Sequence, residues 1–252
     1  MDDIPGKIVE NCSVTAGYRR LRVKLDRPLG KVSPGQFVMV KIPGREIFLR
    51  RPFSIYGSQG RTLTIMYRVV GKGTDALSMA VNKAPVMVLG PLGRGFTAGK
   101  GTTPVVVAGG IGYAGVRMLL RRLRGRATLF FGVTGKEELR MAEDLEGTKV
   151  LTSTMDGSCG FAGDVVTLLG QHLGDYRGKS PEIFACGPVG MVKSLKGLLD
   201  PYRIPCQVSV EERMACGMGL CFGCVVATRD ETSPYKRVCK EGPVFSLWDL
   251  SL

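Results

Sequence analysis

The sequence predicts a multi-domain chain: an N-terminal antiparallel β-barrel, a central α/β doubly wound parallel sheet and a small C-terminal loop domain. Three observations carry this expectation. Residues 1–100 hold short alternating segments separated by Pro/Gly turns, residues 101–205 alternate strand-like and helix-like patterns, and residues 206–252 gather four cysteines within 24 positions. A chain of 252 residues is also at the length where one hydrophobic core gives way to two. A hydrophobic fraction of 44% with 35 glycines describes a globular, turn-rich protein rather than a disordered one.

In the first hundred residues the strand-like segments are 7–14, 21–25, 37–42, 62–70 and 86–89, with turns at Pro28-Leu29-Gly30, Ser33-Pro34-Gly35 and 57–60. Residues 74–81 read as a helix, with Thr74 or Asp75 as the capping residue. Arg50-Arg51-Pro52-Phe53-Ser54 ends a strand with a guanidinium, a rigid φ and a hydroxyl in a row. Met66-Tyr67-Arg68-Val69-Val70-Gly71-Lys72-Gly73-Thr74 runs from a strand through two glycines into the helix. A glycine turn at a helix start leaves backbone N–H groups facing outward, which suits a pyrophosphate. Arg51 could reach the same phosphates with two parallel bonds. Taken singly, either stretch is also what an ordinary strand end looks like.

From residue 103 the pattern changes. Residues 104–108 form a continuous apolar run, as expected of a strand buried on both faces. Helix-like segments to about residue 123 and over 137–145, 165–173 and 189–199 alternate with strand-like 127–133, 149–154 and 182–185. Gly109-Gly110-Ile111-Gly112-Tyr113-Ala114-Gly115 follows the first strand, and Cys186-Gly187-Pro188-Val189-Gly190-Met191 follows a later one. Ligands of such sheets bind beyond the carboxyl ends of the strands, where both loops would lie. A loop of the first kind is a weak signal by itself. Glu137, Glu138, Glu143, Asp144 and Glu146 read as a solvated helix face. His172, the only histidine, sits at a helix end with no evident partner.

Residues 206–212 read as a last strand, and 225–228 with 237–238 as a hairpin that carries Cys239 back to Cys216, Cys221 and Cys224. The spacing is C-x4-C-x2-C, then fourteen residues, then a fourth Cys. Four thiolates hold a [2Fe–2S] cluster, and this is the plant-type spacing. Gly217, Gly219 and Gly223 let the loop curl, since only Gly takes positive φ without steric cost. Structural zinc prefers two knuckles of two cysteines each, and disulfide scaffolds are denser in cysteine than eight in 252 residues. A single histidine excludes a cluster ligated by two histidines. Cys12, Cys159 and Cys206 read as ordinary small buried residues.

A net charge of +13 raises the question of nucleic acid. The densest basic run, Arg117 to Arg126, alternates its charges with Met118, Leu119, Leu120 and Leu123 at helical spacing, which describes a solvated helix face. Interleaved aromatic residues are missing. We therefore expect no nucleic-acid partner, but an acidic partner or a phosphate-rich cofactor. The start of the chain lacks the layout of a signal peptide, and no uncharged apolar run reaches the length of a membrane span. The expectation is a cytoplasmic protein without a membrane partner.

R-P-x-S followed by Y-R-V-x-G-x-G-T resembles the flavin domain of the ferredoxin–NADP reductase superfamily. The resemblance implies FAD, with Arg51, Gly73 and Thr74 on its pyrophosphate and Ser54 near the flavin edge. It also places Pro52 and Phe53 in the same motif, and Met66, Tyr67 and Arg68 along the flavin and ribityl chain. The two later loops resemble that superfamily's NAD(P)H loops, which implies Gly109, Gly110, Gly112, Gly187, Pro188 and Met191 for NAD(H). Cys186 would lie where nicotinamide meets flavin. The order of the three parts, with E-E-R-M-A-C-G-M-G-L-C-F-G-C at the junction, resembles the electron-transfer subunit of NAD-dependent (class 1B) dihydroorotate dehydrogenases over essentially the whole chain. The resemblance divides the chain into an FAD-binding barrel (1–100), an NAD-binding domain (101–205) and a [2Fe–2S] domain (206–252). It implies an FMN-containing catalytic partner in a heterotetramer of two plus two.

A nicotinamide exchanges electrons in pairs and a [2Fe–2S] cluster singly, so a cofactor stable at the one-electron level has to join them, and a flavin is such a cofactor. The implied order is partner FMN, cluster, FAD, NAD+. Met218, Leu220 and Phe222 are expected at the partner contact, with inward packing as the alternative. A related FAD/[2Fe–2S] reductase subunit of another complex, of sulfide or transhydrogenase type, would carry the same cofactors. A non-enzymatic iron–sulfur sensor would require both Gly-rich loops and R-P-F-S to be coincidental. The choice of NADH over NADPH rests on the resemblance alone, since Gly132-Val133-Thr134-Gly135-Lys136 shows neither a plain Asp at the strand end nor an Arg pair.

Overall fold

A computed structural model describes residues 3–42 and 47–252. The N-terminal part is a seven-stranded sheet built from β1 (Ile4–Thr15), β2 (Tyr18–Leu25), β3 (Phe37–Lys41), β4 (Arg51–Ser54), β5 (Gly57–Gln59), β6 (Thr62–Arg68) and β7 (Pro85–Leu92). Its order is β4-β3-β7-β1-β2-β6-β5, and every pairing is antiparallel. The alternation read from the sequence is obeyed: Leu21, Val23 and Leu25 of β2 are buried while Arg20, Arg22 and Lys24 face out. The sheet curls so that Phe53 of β4 reaches Tyr67 of β6, ring centroids 5.7 Å apart. Residues 57–59, expected as a turn, form a short edge strand. Helix α1 spans Lys72–Ser78, two residues earlier than expected, because Gly71 is its capping position. Thr74 lies inside the first turn. Its hydroxyl accepts from the N–H of Val70 (2.9 Å) and of Gly71 (3.2 Å) and donates to the Gly71 carbonyl.

The second sheet contains β8 (Thr103–Gly109), β9 (Thr128–Val133), β10 (Lys149–Thr154), β11 (Phe161–Ala162), β12 (Pro181–Cys186), β13 (Cys206–Ser209) and β16 (Val244–Ser246). The order is β11-β10-β9-β8-β12-β13-β16, parallel except for the last strand. Residues 104–108 are all buried, and their alternation serves both faces. Val106 and Ala108 pack with α2 (Tyr113–Leu123), Val105 and Val107 with α3 (Val165–His172) and α4 (Val189–Leu199). Strand order reverses between β8 and β12, so the loops after those two strands flank the topological switch point.

Several expectations change here. Residues 137–145 do not form an α-helix; Lys136–Ala142 is a 3₁₀ segment in which Met141 alone is buried, too little to anchor an amphipathic stripe. Two of the acidic residues assigned to a solvated face are engaged: Glu138 accepts from the Tyr18 hydroxyl, and Asp144 pairs with Arg117 and accepts from Tyr113. Arg117 is correspondingly buried, not solvated. The strand expected over 206–212 stops at Ser209, where the Val210 N–H turns to the Pro243 carbonyl. Cys159 is exposed and Cys12 half-buried; of the three stray cysteines Cys206 alone is fully buried. His172 does have a partner, Asp175, 3.0 Å from its Nδ1.

The C-terminal segment leaves the second sheet at β13, forms the hairpin of β14 (Val225–Ala227) and β15 (Tyr235–Arg237), and returns as β16. One core cluster contains Phe37, Met39, Leu89 and Leu92 of the first sheet together with Cys224, Val238 and Cys239 and much of the second sheet. The cysteine loop is therefore packed against both sheets. No helix among the described residues is long and apolar enough to cross a membrane.

Candidate cofactor sites

A cavity of about 430 Å³ opens beside β4 and β6 and is lined by Arg51, Pro52, Phe53, Ser54, Met66, Tyr67, Arg68 and Thr74. Eight of the nine residues expected around FAD thus come together in one place. Gly73, the ninth, lies beneath Arg51: a Cβ on it would overlap the guanidinium Nε. Only a glycine lets Arg51 lie across the turn that opens α1. The Thr74 hydroxyl is spent on that turn, so its contribution is to aim the turn's N–H groups. Tyr67 donates its hydroxyl to Asn11, and Asn11 in turn donates to the carbonyls of Leu77, Ser78 and Ala80 at the C-terminal end of α1. This chain of bonds ties the aromatic wall to the far end of the turn.

A second cavity, of about 420 Å³, lies at the switch point and is lined by Gly109, Gly110, Gly112, Gly187, Pro188 and Met191. The glycines are required by packing. A Cβ on Gly112 would collide with the Cys186 carbonyl, and one on Gly109 would stand 2.8 Å from Met191 Sδ. Arg68, Ile111 and Glu211 line both cavities, so the two adjoin. Glu211 escaped the sequence reading because it was placed within a strand; its position directly after β13 was the available signal. Burial raises the pKa of its carboxyl.

Cys186 does not line either cavity. Its side chain is 1% exposed, buried under α2, and burial pushes its thiol up, with the Glu211 charge adding to the effect. A Cβ on Gly115 would lie 2.8 Å from Cys186 Sγ and 3.6 Å from Ser54 Oγ. The R-P-F-S and C-G-P motifs therefore meet at Gly115, one from each sheet. After β9, Gly132, Val133 and Thr134 line the cavity, and the carboxylate of Asp156, from the loop after β10, stands against Gly135.

Of the four cysteines of the C-terminal loop, Cys224 and Cys239 are buried, Cys216 is half-buried and Cys221 is exposed. Among the described residues no group of three or more ligating side chains is gathered closely enough to enclose an ion. The donor chemistry nevertheless suits iron and sulfide. Backbone N–H groups of Met218 and Gly223 point at Cys216 Sγ (3.4 Å) and Cys221 Sγ (3.5 Å), and that of Cys239 at Cys224 Sγ (3.5 Å). Burial opposes ionisation of Cys216, but the N–H groups aimed at its sulfur prevail and lower its pKa to about 6. Gly217 and Gly219 have φ of 69° and 80°, as the curl requires, whereas the third left-handed position is Phe222 (φ 55°), not Gly223. The Arg237 guanidinium covers the Phe222 ring at 4.7 Å, donates to the Gly219 carbonyl (2.8 Å) and is held by both oxygens of Glu241. Met218, Leu220 and Phe222 all point outward, Leu220 at 74% exposure and Phe222 at 60%.

The iron–sulfur cluster binding domain of dihydroorotate dehydrogenase B matches residues 211–251, the segment that holds all four cysteines. A dihydroorotate dehydrogenase B (NAD(+)) electron transfer subunit from Caldanaerobacter subterraneus subsp. tengcongensis is 36% identical over 217 residues, 85% of each chain. The chain belongs to the family of dihydroorotate dehydrogenase B electron transfer subunits. An Aquifex aeolicus homolog of that subunit is 32% identical across 99% of both chains, so the family relationship includes both sheets and the cysteine loop. The structure of an NADH-dependent reduced ferredoxin–NADP oxidoreductase superposes with a TM-score of 0.85, covering 98% of this chain and 89% of that one at 24% identity. A ferredoxin NADP+ reductase from Neisseria gonorrhoeae, solved with bound FAD and NADP, superposes at 0.68 over 80% of this chain and 92% of that one, at 18% identity. These neighbours establish a ferredoxin reductase-like fold for this member of the family.

Proposed function

We propose that this chain is the electron-transfer subunit of an NAD-dependent dihydroorotate dehydrogenase, linking a catalytic partner to NAD+ through a [2Fe–2S] cluster and FAD. The observation that carries the reading is the adjacency of three sites. The two cavities share Arg68, Ile111 and Glu211, while Phe37, Met214 and Pro243 connect the first cavity to the cysteine loop. In this reading the chain comprises an FAD-binding barrel (1–100), an NAD-binding domain (101–205) and a cluster domain (206–252), the last of which lends β13 and β16 to the second sheet. When bound, FAD would supply the exchange between paired and single electrons that a nicotinamide and an iron–sulfur cluster cannot make directly.

The work of the chain's own residues is positional. Arg51 and the N–H groups of the turn held by Thr74 would take the pyrophosphate of FAD, with Pro52 fixing the approach of β4. Phe53, Met66, Tyr67 and Arg68 would flank its remaining length, and Ser54 would present a hydroxyl at the cavity edge nearest Cys186. The Gly109–Gly112 and Gly187–Met191 loops would bring the dinucleotide to that edge, since their lack of side chains lets the backbone approach it closely. Cys186 supports this edge from below; a buried thiol held protonated is a packing group, not a nucleophile. Asp156 beside Gly135, with Glu138 and Asp164 on the cavity wall, favours a free ribose over a 2′-phosphate and so NAD(H) over NADP(H). Cys216, Cys221, Cys224 and Cys239 would ligate the cluster.

The partner in this reading is an FMN-containing dihydroorotate dehydrogenase catalytic subunit, two copies of each chain forming the complex. Affinity capture from the native host, with visible spectra and an orotate-reduction assay on the recovered complex, tests it. An FMN subunit and NADH-dependent orotate reduction that requires the four cysteines are expected. A flavin and cluster spectrum with another partner, and no orotate reduction, would transfer the chain to a different FAD/[2Fe–2S] reductase complex.

A further inference from the structure

A third cavity, of about 680 Å³, lies away from both cofactor sites, between the outer face of β2 and β6 and one side of α2. Its position follows from two periodicities. Arg20 and Arg22 are two apart on β2 and share its outward face, and Arg22 is paired in register with Thr64 of β6, which has Thr62 on the same face. Arg117 and Arg121 are four apart on α2 and share one helix face. Nearer Tyr18 and Met66 the same sheet face is sealed by α2; towards Thr62 the two diverge and the space between them fills with polar groups.

The charges there do not balance. Glu10 serves both Arg20 and Arg22, and Asp144 serves Arg117, while Arg121 has no carboxylate partner among the described residues. Four guanidinium groups thus share two carboxylates. Arg117 is saturated by Asp144 and the Tyr56 carbonyl, and forms the floor. Arg20, Arg22 and Arg121 remain exposed and can turn toward a ligand, with the Thr62 and Thr64 hydroxyls between them. Guanidinium forks beside hydroxyls suit phosphate oxygens. The single aromatic residue in the lining, Tyr56, is covered by Arg117 at 4.2 Å, so no ring is available to stack on a base.

We propose that this cavity binds a small oligophosphate or phosphorylated sugar, recognised by its phosphates and not by a nucleobase. The site shares no lining residue with either dinucleotide cavity, so loss of binding in a variant of its arginines is distinguishable from a failure of the electron-transfer reading.

Calorimetric titration of the purified subunit, with FAD and cluster in place and NAD+ saturating, would use inorganic pyrophosphate, tripolyphosphate and ATP as probes. Filling the dinucleotide sites first removes them as competitors. Expected are saturable, salt-sensitive binding of tripolyphosphate, ATP binding no tighter than tripolyphosphate, and at least about tenfold weaker binding in R22A/R121A. Neither residue touches the cofactor cavities, so the flavin spectrum and melting temperature of the variant should match those of the parent. Absence of saturable binding, or binding equal in parent and variant, overturns the site. ATP binding far tighter than tripolyphosphate overturns the ligand class.

Discussion

The Cys186 thiol occupies the space that a side chain on Gly115 would need. A Cβ there would lie 2.8 Å from Sγ, closer than real Cβ contacts come, and the thiol is too deeply buried to move aside. Gly115→Ala should therefore shift α2 away from β12 and destabilise the fold by ~1–3 kcal/mol. NADH–ferricyanide activity should fall severalfold while FAD content is kept. Adding Cys186→Ala removes the obstructing sulfur and should restore part of both losses. A Gly115→Ala protein with parental activity and melting temperature would refute the close-packed junction.

Arg51 lies across Gly73 and borders the first cavity. A hydrogen bond to a charged group contributes ~1.5–3 kcal/mol, which corresponds to roughly 10- to 100-fold in affinity. Arg51→Ala should lose FAD on gel filtration and recover it only at correspondingly higher added FAD. Arg51→Lys should fall between the two, since a lysine keeps the charge but not the fork. Undiminished FAD retention by Arg51→Ala would remove Arg51 from the site.

Much of this arrangement was legible in the sequence for definite physical reasons. The apolar run of residues 104–108 pointed to a strand covered on both faces, and the alternation of 21–25 to one covered on one face. The two glycine loops could be placed at strand ends because glycine frees the backbone locally, whereas R-P-F-S, expected at the end of a strand, is itself the whole of β4. What escaped depended on partners far away in the chain. β16 has no pattern of its own and forms because β13 offers an edge beside Pro243. The burial of Arg117 depends on Asp144 and Tyr56, which no periodicity in α2 announces. Asp156 reaches Gly135 only through the parallel pairing of β9 with β10.

The cysteine loop offers a clean comparison among eight thiols. Cys216→Ser, Cys221→Ser, Cys224→Ser and Cys239→Ser should each lower iron content and the visible cluster absorption while leaving bound FAD. Cys12→Ser and Cys159→Ser should leave iron unchanged, since neither lies in the loop. Retention of a full complement of iron in any of the first four would exclude that cysteine as a ligand.

Asp164 caps α3, accepting from the N–H groups of Val166 (2.9 Å) and Thr167 (3.0 Å). Burial acts to raise its pKa, but the bonds to Thr167 and Val166 prevail and lower it. A carboxyl with a depressed folded-state pKa contributes stability above its unfolded value, about 3.9, and loses it as pH falls through the folded value. Asp164→Ala should cost ~1 kcal/mol at pH 7. The difference between the two melting temperatures should narrow below about pH 4. A gap that widens on acidification would show that Asp164 does not act as a charged cap.

Leu220 and Phe222 stand exposed on the loop that packs inward through Cys224 and Cys239, and the Phe222 backbone is held in a left-handed conformation with its ring beneath Arg237. A bulky residue is costly there, and covering the outward faces of Leu220 and Phe222 would turn their exposure into stabilisation. Contact with the catalytic partner would provide that cover, and would place the exchange of electrons where the cluster is nearest the surface. Leu220→Asp/Phe222→Asp should keep iron, FAD and NADH–ferricyanide activity, because neither side chain packs inward. Capture of the catalytic subunit should weaken by at least about tenfold, as for loss of a central aromatic contact. Parental capture by a variant with intact iron would move the partner contact to another face of the molecule.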